Sequence, residues 1–445
     1  MNSSNPFVGQ PETTGKYLVL LSKDEVDAGI QSLTDSAGIS SVTRAADFEA
    51  HALSGQQLES AENLVFDNLG VAVVTLDAEQ LQSVGAAIAD ESQPIYAVEP
   101  ERIVYALSDV GLGKLTPPTS GCNANIAVEY LKGYRDGVAQ LIEKLIATDK
   151  TVQTLEIESE ETATWGLQAT KVIDSRYSGR GIKVAVLDTG LDLNHPDFAG
   201  RKIVSKSFIS GQQVQDQNGH GTHCIGTACG SLSPTIVPRY GVAYEAEIYA
   251  GKVLSNQGSG SDRSILAGIE WAVTNGCQIV SMSLGARTFP GDSFSRVYET
   301  LAKRALEKGT LIIAAAGNDS RRPGTVAPVS HPANCPSIMA VAALNSQHEV
   351  AWFSCGGLNP DGGHVDIAGP GVDVYSTWPM AKKYNTISGT SMATPHVAGI
   401  AALYAEATGA TGQALWNLLT QHALRLPLPS VDVGIGLVQA PSDAS

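Results

Sequence analysis

The sequence predicts an α/β protein in which a doubly wound parallel sheet follows a smaller ferredoxin-like α+β unit. Three observations lead there. Beyond about residue 165, short β-branched apolar runs alternate with helical stretches, the pattern of strands buried under helices on both faces. Before residue 107 a β-α-β-α-β alternation is complete in itself. A chain of 445 residues also exceeds one ordinary core, so two folding units are expected.

Residues 1–15, MNSSNPFVGQPETTG, form a polar tail. They hold no basic residue and no 7–15-residue apolar stretch, so they do not read as a secretory signal, and the residues alone imply a cytoplasmic location. The small unit spans 16–107. KYLVLLS (16–22), VAVVTL (71–76) and PIYAVEP (94–100) are its strands, and DEVDAGIQSLTD and DAEQLQSVGAAI its helices. Residues 1–107 carry sixteen acidic and four basic side chains, and so −12 of the chain's net −16. That surplus reads as solubility, or as a module released when its surroundings change.

Residues 108–160 form a connecting stretch. GKLTPPTSG (113–121) is turn-rich. Ala127, Leu131, Tyr134, Val138, Leu141 and Leu145 then recur at steps of three and four, an amphipathic helix of about 125–148 weakened by Gly133 and Gly137. The glutamates 156, 158, 160 and 161 read as a solvated linker.

The large unit spans 161–445. IKVAVLD, KIVSKSF, AEIYAGKVL, QIVSMSL, TLIIAAAG and IMAVAAL are its strands; RSILAGIEWAVTNG, SFSRVYETLAKRALEKG and SMATPHVAGIAALYAEATG are its helices. No apolar run approaches the ~18 residues of a membrane span. Nothing basic and clustered points to nucleic acid. Of the six cysteines, none forms C-x-x-C; Cys277 reads as core, and Cys335 with Cys355 is a conceivable pair.

Three motifs carry chemistry, in the order Asp, His, Ser: VAVLDTG around Asp188, NGHGTHCIGT around His220 and ISGTSMATPHVAG around Ser391. A hydroxyl attacks a carbonyl at neutral pH only if an imidazole takes its proton and a carboxylate orients the imidazole. Asp188 ends a strand and Ser391 opens a helix, as a site at the carboxyl end of a parallel sheet requires. An aspartic protease needs two facing DTG aspartates, and one is present. A zinc hydrolase of the H-E-x-x-H type needs a glutamate where Gly221 stands, so His223 reads as a packed helix residue. GTSMA is not the G-x-S-x-G elbow of lipases.

With KVLSNQGSGS (252–261), GIEWAV, SMSLGA, AAAGND and GIGLVQA, residues from about Trp165 to Ala440 resemble the catalytic domain of subtilisin-like serine proteases, the subtilases. Residues from about Lys16 to Leu107 resemble the same family's propeptide, whose members are usually exported. The resemblance implies a serine endopeptidase made as a zymogen, with protein or peptide substrates, its own prodomain as inhibitor, and no cofactor required for the chemistry. Asn318 would donate to the oxyanion. Gly258, Ser259, Gly260 and Ser261 would form one substrate-binding edge and Ser283, Leu284 and Gly285 the other. The last three would also line a pocket with Ala315, Ala316 and Gly317, and with Ser330 near its base. Those small neutral walls imply a large apolar residue before the scissile bond, in a pocket made shallower by Ser330. VEPERIVYAL would lie in the cleft, with self-cleavage between Leu107 and Ser108; the alternative is a permanent regulatory domain. Cys224 would be a free thiol, as in proteinase-K-like members. Asp197 matches a calcium aspartate, although the loop 230–242 that should complete the site holds no Asn or Asp. A processing peptidase for one precursor and an inactive binding protein are the rivals.

Overall fold

The computed structural model describes residues 11–107 and 162–442, except 24, 91 and 237, and its first element is a nine-residue strand, β1 (Thr13–Leu21). The connecting stretch, its expected helix 125–148, Cys122 and Ser108 lie outside the described residues. After β1 come α1 (Val26–Ala37), β2 (Thr43–Arg44), α2 (Gly55–Ser60), β3 (Leu64–Phe66), β4 (Val71–Val74), α3 (Ala78–Ala89) and β5 (Ile95–Ala106). The strand order β5-β1-β4-β3 makes this a β-α-β-β-α-β ferredoxin-like sheet. The sequence pattern misses β3 because its three residues are all buried and show no alternation.

Both faces of this sheet are covered. Along β1, Val19 and Leu21 pack with Leu33, Val84 and Ile95 under the segment's own helices. Leu18 and Leu20 point the other way, into one core with Ile265, Leu266, Tyr298 and Leu301 of the large unit. A period-2 strand that is apolar on both faces needs a second layer, and the large unit supplies it.

That unit runs β6 (Lys183–Asp188), β7 (Ile203–Ser207), α4 (His220–Cys229), β8 (Glu247–Lys252), β9 (Ser259–Ser261), α5 (Asp262–Thr274), β10 (Ile279–Met282), β11 (Leu284–Gly285), α6 (Arg296–Glu307), β12 (Leu311–Ala315), β13 (Met339–Leu344), β14 (Ile367–Pro370), the hairpin β15 (Val374–Thr377) and β16 (Tyr384–Ile387), α7 (Thr390–Thr408) and α8 (Gly412–Gln421). Seven described strands pair in parallel in the order β14-β13-β12-β10-β6-β8-β7. Val397 and Ile400 of α7 and Ile225 of α4 pack with Val184 and Val186 on one face. Ile269 of α5 and Leu301 of α6 pack with Ala185 and Leu187 on the other. The sheet is therefore doubly wound, as expected. The chain turns back across the sheet at β6, so a crevice opens at that strand's carboxyl end.

Candidate active site

Asp188 is the last residue of β6, fully buried, with Oδ1 2.7 Å from His220 Nδ1. His220 opens α4. The turn before it is held by the Asp216 carboxylate, which accepts the amides of Asn218, Gly219 and Thr222, each at 2.9 Å, and the Thr189 hydroxyl at 3.0 Å. Gly221 brings this turn against the Asp188 loop; a β-carbon there would stand 2.3 Å from the Gly190 oxygen. Asp216 was not anticipated, although D-x-N-G-H ahead of a helix is a polar turn signal.

Burial opposes a charged imidazole, but the Asp188 carboxylate outweighs it and holds His220 well above its ordinary range. Its Nε2 is buried without a hydrogen-bond partner. Ser391 is the second residue of α7, so its N–H has no acceptor within the helix. Its Oγ donates to the Ser283 carbonyl at 3.1 Å, and Ser283 Oγ donates back to the Ser391 carbonyl at 2.8 Å. Cys224 ties the two helices together. Its Sγ lies 3.9 Å from His220 Nδ1 and donates to the Ser391 carbonyl at 3.6 Å.

Asp188, His220 and Cys224 offer atoms within 4.8 Å of one another. Burial raises the Cys224 thiol above its usual range, so it stays protonated, and Asp188 Oδ1 already pairs with His220 Nδ1. This is a hydrogen-bonded set, not a ligand set. His223 is a packed residue: Nε2 meets the Val374 carbonyl at 3.0 Å, and burial pulls its pKa down to about 3.

The second half of β5 leaves its own sheet and becomes a strand of the crevice. Ile103, Val104 and Tyr105 pair with Ser261, Gly260 and Ser259, while Tyr105 and Ala106 pair with Gly285 and Leu284. The Ala106 amide donates to Gly258 at 2.9 Å, and the Leu107 amide to Ser283 at 3.2 Å. The Leu107 carbonyl then receives Asn318 Nδ2 at 2.5 Å. Asn318 is aimed by α7: its Oδ1 accepts the Thr390 amide at 3.0 Å and hydroxyl at 2.9 Å. A β-carbon on Gly285 would lie 3.1 Å from Leu107 Cδ1 and 3.4 Å from Ser330 Cβ, which places the leucine against that wall. Ala316 accepts the Ser330 amide at 2.9 Å, Gly317 donates to Thr390 Oγ1 at 3.2 Å, and Ala315 is buried at the end of β12. The expected strand 94–100 is thus a twelve-residue one. Glu99, Pro100, Glu101 and Arg102 sit at its centre, where the strand passes from β1 to the crevice.

Residues 179–436 match the sequence model of the subtilase family. The chain belongs to that family. It is 40% identical over 238 residues to subtilisin DY of Bacillus licheniformis, a match spanning 53% of this chain and 81% of that protein. It is 39% identical over 306 residues to the thermostable alkaline protease of Halalkalibacterium halodurans, across 67% of this chain and 79% of the relative. Subtilisin-like protease 2 of Pseudogymnoascus destructans is 37% identical over 313 residues, 65% and 72% of the two chains. The protein is a subtilisin-like serine endopeptidase, and protein or peptide chains are its substrates.

Other contacts of this subtilase have no signal in the sequence. Glu99 Oε1 accepts the amides of Arg296 and Val297 at the N-terminus of α6, at 2.6 and 3.3 Å. Glu101 Oε1 accepts the Arg263 amide at that of α5, at 3.0 Å. Part of the acidic surplus therefore complements two helix termini. From the other side, the buried Arg304 donates to the carbonyls of Leu69 and Leu21.

Asp197 does not have the surroundings of a calcium ligand. Its carboxylate accepts the Thr235 amide at 2.9 Å and hydroxyl at 2.5 Å, and the hydroxyls of Tyr240 at 2.6 Å and Tyr384 at 2.9 Å. Calcium needs six to eight oxygens, chiefly carboxylates and carbonyls. Four donors aimed at one carboxylate are the opposite arrangement. Cys335 and Cys355 do not pair, contrary to expectation: both are buried free thiols, as are Cys224, Cys229 and Cys277.

Proposed function

We propose that Asp188, His220 and Ser391 act as the catalytic triad, and that residues 16–107 are an inhibitory prodomain which the enzyme cleaves itself, between Leu107 and Ser108. One observation carries this: a strand of the chain fills both substrate edges and presents the Leu107 carbonyl to Asn318.

In the reaction, Ser391 Oγ turns from the Ser283 carbonyl to His220 Nε2, which accepts its proton as the Oγ–C bond forms. Asn318 Nδ2 and the Ser391 N–H hold the oxyanion. Asp188 keeps the Nδ1 proton in place and stabilises the imidazolium, which then protonates the leaving amine as the C–N bond breaks. Water repeats the sequence on the ester. The small walls of Gly285, Ala315, Ala316, Gly317 and Ser330, with Leu107 against them, favour a large apolar residue before the scissile bond.

Ser391→Ala should accumulate as the unprocessed chain and resist a serine-directed fluorophosphonate. N-terminal sequencing of the active wild type should begin at Ser108. Processing of Ser391→Ala at the normal rate, in the absence of other proteases, would overturn the reading.

A further inference from the structure

Beyond Ile103, the strand in the cleft meets no main-chain partner on β9. The next amide, that of Arg102, donates instead to a side chain: Asp262 Oδ2, at 2.7 Å. Asp262 opens α5 and is fully buried. An aspartate there ordinarily complements its own helix terminus. This one turns outward. Its Oδ1 accepts the Tyr298 hydroxyl at 2.9 Å and stands 3.3 Å from His331 Nε2, while Oδ2 faces the strand.

Arg102 lies five residues before Leu107, the sixth position on the acyl side of the proposed scissile bond. Its side chain lines a cavity of about 380 Å³ together with Arg287, Asp292, Ser295 and His331. The guanidinium also lies 3.5 Å from Glu99 of its own strand. Burial opposes ionisation of Asp262, but His331 and Arg102 keep its carboxyl below the usual range. Burial lowers His331, so that ring stays neutral beside it.

We propose that Asp262 is a specificity residue of this subtilase, which binds the main-chain N–H of the substrate's sixth residue before the cleaved bond and favours a cationic side chain there. The proposal rests on the functional reading above. When residues 16–107 leave, Glu99 leaves with them, and Asp262 Oδ2 loses its N–H donor while Oδ1 keeps Tyr298 and His331. A carboxylate oxygen at the wall of the cleft pairs best with charge-assisted donors, so a substrate that supplies both an amide and a cation is selected. Asp292 adds to the attraction across the cavity, and Arg287 opposes it.

The test uses fluorogenic peptides with Ile-Val-Tyr-Ala-Leu before the cleaved bond and Arg, Ala or Glu ahead of the isoleucine. The mature wild type should prefer Arg over Glu by about tenfold in kcat/KM, a preference that shrinks in high salt. Asp262→Asn should bring the ratio close to one. Val-Tyr-Ala-Leu substrates, too short to reach Asp262, should be cut equally by both enzymes, which also shows that the variant is folded. Equal rates for Arg and Glu in the wild type overturn the proposal, as does a ratio that persists in a folded Asp262→Asn. If the wild type fails to cut the short substrates, the functional reading fails, and this one with it.

Discussion

The side-chain amide of Asn318 stands 2.5 Å from the carbonyl oxygen of Leu107, and its other end is held by Thr390, the residue before Ser391. One side chain thus couples the helix that bears the proposed nucleophile to the carbonyl it would attack. Asn318→Leu should lower kcat by about 100- to 1,000-fold with KM nearly unchanged, a magnitude drawn from this same family. Thr390→Val, which removes one of the two donors to Asn318, should reproduce a smaller part of that loss. Steady-state kinetics on a short peptide check both, and equal losses in kcat and KM would count against the assignment.

In the proposed triad His220 must be neutral to accept the Ser391 proton, and Asp188 raises its pKa against the effect of burial. Activity should therefore rise with pH along a limb lying above the ordinary imidazole value. Asp188→Asn should move the limb down and cut kcat by about 10⁴. The stability linkage has the opposite sense. A raised folded-state pKa stabilises the protein fully below the unfolded value, and that stability is lost as pH rises through the raised one. The pH–rate profiles of the two enzymes, with unfolding followed across the same range, check this.

Hydrogen bonds from Thr235, Tyr240 and Tyr384 prevail over burial and keep the Asp197 carboxyl below its usual range. Its contribution is present above the unfolded pKa and lost as pH falls through the folded one. Asp197→Asn should cost about 1–3 kcal/mol near neutrality, because an amide NH₂ would face hydroxyl donors. A chelator should leave Tm unchanged; a fall of several degrees on chelation, restored by calcium, would show that a cation is held there after all.

Residues 16–107 should lose their hold when the charges on the helix termini are removed. Glu99→Gln with Glu101→Gln should weaken inhibition after processing by roughly tenfold or more, on the scale of about 1 kcal/mol per charged contact at a helix N-terminus. The fraction of enzyme still masked after self-cleavage, read by titration with a fluorophosphonate, checks this. Unchanged masking would leave the apolar face of Leu18, Leu20 and Val71 as the main hold.

Both layers of the large sheet and the neighbourhoods of Asp188, His220 and Ser391 were legible along the chain, because they depend on local pattern. A strand buried on both faces is apolar throughout, and a nucleophile at a helix start sits among small residues. Most polar contacts between distant segments were not legible. Nothing near Glu99 announces that its partner is the amide of Arg296, and nothing near Asp262 announces Arg102. Asp197 is the sharpest case. Its local motif matched a calcium aspartate, but two tyrosines and a threonine from separate loops converge on it with hydroxyl donors. Local periodicity and turn chemistry reach only a few residues, so the chain specified its elements and its reactive groups. Which polar atoms satisfy one another was settled when those elements packed, since a buried donor or acceptor takes whichever partner the fold brings within 3 Å.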